Sequence, residues 1–479
     1  MVTALGIRVF LSGNFNVLHP GHLRLLRFAR ELGDELIVGV QSDRLAGDAA
    51  HVPEELRIDG VRSISFVSEA LLVDEPVEDV VARFRPDFVV KGNEHEGQQN
   101  PELEVVNSYG GKLVFDSGDA VFSSLDLIRM DLLDQNWRVG NVPSGYLVRH
   151  GIETKDLLER ISEFRALQVC VIGDLIVDEY ITCDPLGMSQ EDPSLVVTPV
   201  DTQCFLGGSG IVAAHAAGLG AAVQFLSVTG EDDIRDYAEA ELRRTGVEAH
   251  LFGDETRPTT KKQRFRAEDT TLLRVSHLHQ ASIDIQLQER ILDRFCEVVS
   301  DCQLVIFSDF NYGCLPQALV EKLVFHGRSS GVMMAADSQS SSQIGDVSRF
   351  KGMDLLTPTE HEARVCLRNN QDGLVVLAGQ LMARARAKNI ILKLGSEGAL
   401  LHLESDNGRL HTDRIPALNV SPRDVAGAGD SLLVGSALAM AAGATTWEAA
   451  YIGTVAAAVQ LGRVGNIPLS DTDLIDWVA

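Results

Sequence analysis

Short apolar runs rich in β-branched residues alternate with stretches of helical periodicity along this 479-residue chain. IRVFLSG, from Ile7, reads as a strand, HLRLLRFAREL as an amphipathic helix and DELIVGV as a second strand. DGVRSISFV, DFVVKGN and GKLVFD continue the strand series, and the unit closes near Leu133. QNWRVGNVPSGYLVRHG has no clean period and carries turn residues, which places a joint there. ETKDLLERISEFRAL follows, with Leu157, Leu158, Ile161, Phe164 and Leu167 at helical spacing. QVCVIGDLIVDEY then opens a second alternating series, continued by AVQFLSVTG, QLVIFSDF, VMMAADS, DLLTPT and NIILKLG. It ends in a long Ala-rich helical region. The alternation predicts an α/β protein of parallel sheets and crossover helices. The expected organisation is a first domain over 1–135, a linker and joining helix over 136–164, and a second domain over 165–479.

Composition narrows the partners. The chain is 45% hydrophobic and 23% charged, with a formal net charge of −26. Binding to nucleic acid or an anionic membrane needs clustered Lys and Arg, so neither partner is expected. A small phosphorylated ligand held by a few local donors is still compatible with this charge. The seven cysteines show no CxxC and no zinc-ligand spacing, which suits a reduced, cytoplasmic protein. MVTALGIRVFLSG lacks the long apolar core of a signal peptide. One long uncharged run, Ser431 to Trp447, reads as a buried helix rather than a membrane span.

Two constellations carry chemistry. In the first, a strand leaves through SGNF into PGHLRLLRFAREL, with Pro20 at the first helical turn. Helix N-termini attract anions, and two histidines there, His19 and His22, can donate to phosphate oxygens that gain charge in a displacement. Gly21 leaves room for a nucleotide. SGNFNVLHPGH resembles the HxGH signature of the nucleotidylyltransferase superfamily, in its sugar-phosphate and cytidylyltransferase branch. GVQSD at 39–43, EELR ending at Arg57, PDFVVKGNEH with Lys91, and FSSLDLIR at 122–129 follow in the family's order. The resemblance implies a Rossmann-like domain in which His19 and His22 stabilise attack of a sugar 1-phosphate on a nucleotide α-phosphate. Ser12, Gly13 and Phe15 would line the phosphate turn, Lys91, Ser123 and Ser124 would hold the nucleotide, and Arg57 would contact phosphate. Two positions depart from the family: Asn16 stands for an Asp and Ala46 for a loop Lys.

The second constellation is DVAGAGDSLLVG, residues 424–435. Backbone N–H groups from Ala426 to Gly429 can form an anion hole, and Asp430 can take a proton from a substrate hydroxyl. With VIGDLIVDEY, FLGGSGIVAAHAAGLGA, VTGEDD, FSDF, LLTPTEHEA and LKLGSEGAL, residues 165–479 resemble the ribokinase-type sugar kinases. They look most like the kinase half of the bifunctional heptose-phosphate kinase/adenylyltransferase family, whose HxGH domain follows the kinase instead of preceding it. By this resemblance the fold is ribokinase-like with a small β lid, and Asp430 is the base. Ala426, Gly427, Ala428, Gly429, Lys393 and Gly395 would serve ATP and the anion hole. Asp174, Asp178, Gly207, Gly208, Lys262 and Arg264 would serve the sugar, and Glu362 would place Mg²⁺ through water. For Lys262 and Arg264, solvated strand charges are the equal alternative. The departures cluster on the sugar side: Ile211 and His215 replace two Asn, Gly187 an Arg, Thr359 the Asn of an NxxE motif, and Gln339 the Lys of DPK.

The leading reading is a bifunctional enzyme, a sugar kinase joined to a sugar-1-phosphate nucleotidylyltransferase, using ATP or CTP with Mg²⁺ and acting on heptose-like sugar phosphates. A homodimer paired through the lid is implied by the same resemblance. A second reading keeps only the transferase active, with the kinase-like half a binding or dimerisation module. A third makes the chain a nucleotide or sugar sensor.

Overall fold

The structure is a computed structural model that describes residues 7–16, 18, 20–47, 50–92, 100–116, 143–189, 191–192, 194–267, 270–339, 345–404, 410–419 and 421–479. It separates into two compact units: Met1–Gly151 with Asn370–Gly379 and Ala399–Pro416, and Ile152–Asn369 with Gln380–Gly398 and Ala417–Ala479.

The first unit is built on five parallel strands, β1 (Arg8–Gly13), β2 (Glu35–Gln41), β3 (Glu69–Val73), β4 (Phe88–Gly92) and β5 (Lys112–Asp116), in the order β3-β2-β1-β4-β5. Phe10, Ile37, Val73, Val89 and Leu113 bury on this sheet beside Val80, Val81 and Val106. The strand order reverses between β1 and β4, so a crevice opens at their carboxyl ends, beyond Gly13 and Gly92. DGVRSISFV is not a strand. Its first residues finish the helix Glu54–Arg62, and the strand comes later, at EALLV. Ile58 and Val61, three apart, bury on one helix face, so their β-branched character served a helix.

Thirteen further strands follow: β6 (Gln168–Gly173), β7 (Leu175–Met188), β8 (Leu195–Gly208), β9 (Ala222–Thr229), β10 (Glu248–Gly253), β11 (Lys261–Ala267), β12 (Thr270–His277), β13 (Leu304–Asp309), β14 (Met333–Ser338), β15 (Leu355–Leu356), β16 (Asn389–Lys393), β17 (Ala399–Glu404) and β18 (Leu410–Ile415). Nine form a sheet in the order β10-β9-β6-β13-β14-β15-β16-β17-β18, and four form a second sheet in the order β12-β11-β7-β8. QVCVIGDLIVDEY therefore splits at Asp174 into strands of two different sheets. The large sheet also reverses order, between β6 and β13, which places a crevice beyond Gly173 and Asp309. The joint expected from QNWRVGNVPSGYLVRHG contains a short helix, Ser144–His150.

The uncharged run Ser431 to Trp447 is not one helix: it fills most of the helix Ala428–Ala441, turns over 442–445 and enters the helix Thr446–Leu461, both largely buried and packed together. Two glycines permit their close approach. A Cβ on Gly435 would meet the Cα of Gly453 at 3.0 Å, and one on Gly453 would meet Ser436 Oγ at 2.0 Å and Leu432 O at 2.7 Å. No described helix is long and apolar enough to cross a membrane.

Gly453→Leu overpacks this crossing and is expected to cost at least about 1–3 kcal/mol, read as a lower thermal midpoint, although leucine alone favours a helix over glycine. An unchanged midpoint would show that the helices can separate freely.

Candidate functional site

In the first unit, β1 ends at Gly13 and the chain turns at Phe15, whose backbone is left-handed at φ 51°. A Cβ on Gly13 would lie 3.3 Å from the Phe15 ring, so glycine lets that ring fold back over the turn. The ring sits 5.3 Å from that of His22, on the helix Pro20–Glu31. Ser12, Gly13, Phe15 and His22 are thus gathered at the carboxyl end of β1. Lys91, at the end of neighbouring β4, donates to Asn100 Oδ1 at 2.9 Å and pairs with buried Glu102. Asn16 Oδ1 accepts the backbone N–H of His51 at 2.8 Å and of Val52 at 3.3 Å, so the amide, standing for an Asp, keeps an acceptor for this loop. Ala46 ends the short helix Asp43–Ala46. His19, Ser123 and Ser124 lie outside the described residues, as do the surroundings of Gly21.

Arg57 is placed otherwise than expected. Its guanidinium is buried and donates to Val52 O at 2.7 Å, Asn14 O at 2.7 Å and Gln41 O at 2.8 Å, and pairs with Asp43. It braces the turn from beneath instead of reaching a phosphate, because the buried loop carbonyls need a donor and the guanidinium supplies it.

In the second unit, Gly427 (φ 76°) is the N-cap of the helix Ala428–Ala441, and Asp430 lies in the first turn with 7% of its surface exposed. Burial, then the charge of Asp337, push the Asp430 carboxyl up to about 7, against the pull of Lys393. Lys393 Nζ donates to Asp337 at 2.7 Å. Burial opposes the ammonium, but the charges of Asp337 and Glu362 outweigh it and hold it above its ordinary value. A Cβ on Gly429 would lie 3.1 Å from that Nζ. Gly395, left-handed at φ 65°, would meet nothing if it carried a Cβ. Glu362 is buried, and its carboxylate accepts Thr359 N–H at 2.7 Å in a reciprocal cap with the Thr359 hydroxyl. Asp337 Oδ1 is buried with no hydrogen-bond partner among the described residues.

Across the cleft, β7, β8 and β11 bring up Asp178, Gly207 and the pair Lys262 and Arg264. A Cβ on Gly207 would fall 2.3 Å from Asp178 Oδ2, and Gly208 holds φ 56° against Asp174 O. Lys262 Nζ stands 5.1 Å and 5.2 Å from the ring centres of Phe310 and Tyr312, and the Arg264 guanidinium 5.3 Å from that of Tyr180. These are cation–π seats, so the reading of solvated strand charges does not describe them. Tyr180 OH donates to Asp424 Oδ2 at 2.8 Å, and Asp424 also accepts the N–H of Ala426 and Gly465 at 3.1 Å.

Residues 166–473 match the pfkB family carbohydrate kinase profile, and residues 10–106 the cytidylyltransferase-like profile. The chain belongs to the pfkB family. It is similar to the bifunctional protein HldE of Geotalea uraniireducens (strain Rf4), with 30% identity over 327 residues, 67% of this chain and 64% of that one. The HldE protein of a Nitratiruptor species gives 30% over 303 residues, 62% of each. The pfkB chain thus spans just under two thirds of these relatives. In fold it is similar to Thermotoga maritima ribokinase, with a TM-score of 0.52 at 20% identity, covering 65% of this chain and 99% of the ribokinase. Escherichia coli phosphofructokinase-2 gives 0.53 at 16%, covering 65% and 98%.

Within this pfkB fold, three sugar-side positions lie in the interior. Asp174, expected at the sugar site, is buried: Oδ2 accepts the N–H of Phe310 at 2.8 Å and Tyr312 at 3.2 Å, and Oδ1 that of Cys314 at 3.1 Å. It clamps the loop after β13. Ile211 and His215, at the two missing Asn positions, are wholly buried, and the imidazole pKa is pushed down to about 3 by burial. The motifs did not single out Asn466, which donates to Asp178 Oδ2 at 3.0 Å, nor Tyr180, Phe310 and Tyr312. Asn466 follows Gly465 in the unremarkable run RVGNIP, so no spacing signal marked it.

Two outcomes follow. Arg57→Met strips buried carbonyls of their donor and is expected to destabilise the first unit by roughly 1–3 kcal/mol, measured by thermal or urea unfolding. For Asp430, a folded pKa of about 7 against an ordinary 3.8 means the fold binds the proton more tightly than the unfolded chain does. Its stabilising contribution is complete below the unfolded value and is lost as pH rises through the folded one. Asp430→Asn should therefore melt above the wild type at about pH 8, the difference closing toward about pH 4.

Proposed function

We propose that this chain is a bifunctional enzyme that phosphorylates a sugar phosphate and attaches a nucleotide to a sugar 1-phosphate, yielding an ADP-linked, heptose-type sugar. The observation that carries the reading is Asp430, a buried carboxyl near neutral pKa at the N-terminus of a helix opened by GAG, beside the Lys393–Asp337 pair. In the kinase, Asp430 takes the proton of the sugar hydroxyl, whose oxygen bonds to the γ-phosphorus as the β–γ bridging P–O bond breaks and ADP leaves. Backbone N–H groups of Gly427, Ala428 and Gly429, with Lys393, offset the charge on the transferring group, while the Ala426 N–H, expected in the same anion hole, is spent on Asp424. Lys262 and Arg264 are suited to the phosphate that the sugar already carries. Glu362 and the unpaired Oδ1 of Asp337 fit the hydrated Mg²⁺ of Mg–ATP, which would shield phosphate charge.

In the transferase, a sugar 1-phosphate oxygen attacks the α-phosphorus of ATP, and pyrophosphate leaves. His22, with His19, would stabilise the charge there, while Ser12, Gly13 and Phe15 shape the turn and Lys91, Ser123 and Ser124 hold the nucleotide. ATP is favoured over CTP by the resemblance to the heptose-phosphate kinase/adenylyltransferase family. We take the two domains, divided within 136–164, to stand in the reverse of that family's order. Exposed Leu186, Met188, Val196 and Val200 on β7 and β8 suit a homodimer paired through the lid, and seven free cysteines suit the cytoplasm.

The buried Ile211 and His215 favour one rival, in which the kinase fold only binds. Wild-type chain given ATP and heptose 7-phosphate, or heptose 1-phosphate, should release ADP in the first assay and pyrophosphate in the second. Asp430→Asn should lower ADP release about 100- to 10,000-fold and spare pyrophosphate release, with His22→Ala doing the reverse. Indifference of both assays to Asp430→Asn would assign the kinase fold a binding role.

A further inference from the structure

Asn466 is 5% exposed and lies between the two sides of the kinase cleft. Its amide orientation follows from its partner. The Asp178 carboxylate can only accept, so Nδ2 faces Asp178 Oδ2 at 3.0 Å and Oδ1 turns away. Oδ1 points at the backbone of Gly427, where a Cβ would come within 2.5 Å of it. Asn466 therefore spans from the carboxylate on the lid strand to the glycine that opens the anion hole.

Two acceptor atoms of this pair have no hydrogen-bond partner among the described residues, and both are buried: Asp178 Oδ1 and Asn466 Oδ1. Arg264 Nη2 lies 3.7 Å from the first, within ion-pair range but longer than a hydrogen bond. Buried acceptors without donors are costly, and adjacent ones indicate a missing donor. The missing partner supplies two hydrogen-bond donors and carries no negative charge at this point, because Asp178 would repel an anion. Two hydroxyls of a sugar meet both conditions.

We propose that Asn466 reads a hydroxyl of the acceptor sugar: Asn466 Oδ1 and Asp178 Oδ1 each accept from a hydroxyl, in place of the amides that Ile211 and His215 do not provide. This rests on the kinase reading above and extends it to a specificity-determining residue. The position beside Gly427 fits, since the accepting hydroxyls then lie next to the one transferred to, near Asp430, whose pKa is raised in part by the Asp178 charge. The residue also explains why position 427 must be glycine on the sugar side as well as for its φ of 76°.

The test is a cycle between residue and ligand. The full chain and its Asn466→Leu variant are titrated calorimetrically with D-glycero-D-manno-heptose 7-phosphate and its monodeoxy analogues, with a nonhydrolysable ATP analogue as fold control. Asn466→Thr, which keeps a short acceptor, is the second variant should leucine misfold. Wild type should lose about tenfold in affinity for one particular deoxy analogue, and the variant should lose about tenfold for the parent yet no longer distinguish that analogue. Equal losses for every analogue in both proteins would overturn the proposal, as would a wild type that binds none of these compounds. Failure of the kinase reading looks different: discrimination by Asn466 would persist in binding while no ADP is formed. Turnover without discrimination would instead retain the kinase and discard Asn466.

Discussion

A single buried ammonium sets the terms for the larger unit. Lys393 Nζ lies 2.7 Å from Asp337, with the charges of Glu362 and Asp430 also acting on it. One cation among three carboxylates cannot satisfy them all in a medium where charges are poorly solvated. Burial first, and then the neighbouring negative charge, raises the proton affinity of Asp337 and, more strongly, of Asp430. The same ammonium dictates the backbone around it. A Cβ on Gly429 would stand 3.1 Å from Nζ and crowd it, whereas the bare turn leaves room for an anion beside the N–H groups of Gly427, Ala428 and Gly429. A net deficit of positive charge in such a cleft also suits a substrate that arrives with its own cation.

The parts of this arrangement that were legible from sequence are those where geometry forces residue identity. Gly427, Gly429, Gly207 and Gly208 are fixed by close approaches or by left-handed backbone, so a string of letters marks them. Strand–helix alternation was equally plain, because β-branched runs and helical spacing obey local rules. It failed at DGVRSISFV, where Val61 buries beside the preceding Ile58 on a helix face and tertiary packing overrode β propensity. It also passed through Asp174 as though β6 and β7 were one strand, since nothing local announces that a chain changes sheets.

Charged residues were harder to read, because the same side chain serves a ligand or the scaffold according to what surrounds it. Arg57 and Asp174 both occur in motifs and both spend their hydrogen bonds on backbone groups of loops. Such bracing is no less tied to function. Arg57 fixes the loop that Asn16 also holds, and Asp174 fixes the segment carrying Phe310 and Tyr312, on which Lys262 rests. The lysine keeps its place at the cleft only while that loop keeps its shape.

His215 shows how a departure from a motif is absorbed. Leu469 N–H donates to its Nδ1 at 3.0 Å, so the neutral ring carries its proton on Nε2, which faces Ser431 Oγ at 3.1 Å. Ser431 in turn donates to Gly427 O at 3.0 Å. An imidazole pushed down to about 3 by burial stays neutral at any working pH, so this chain of bonds does not switch. It ties the residue that opens the anion hole to the segment Gly465–Leu469, and Asn466 lies in that segment. The imidazole on the helix Ser209–Gly218 thus anchors the very loop that presents the Asn466 amide to Asp178. His215 and Asn466 are tied through one short segment of chain.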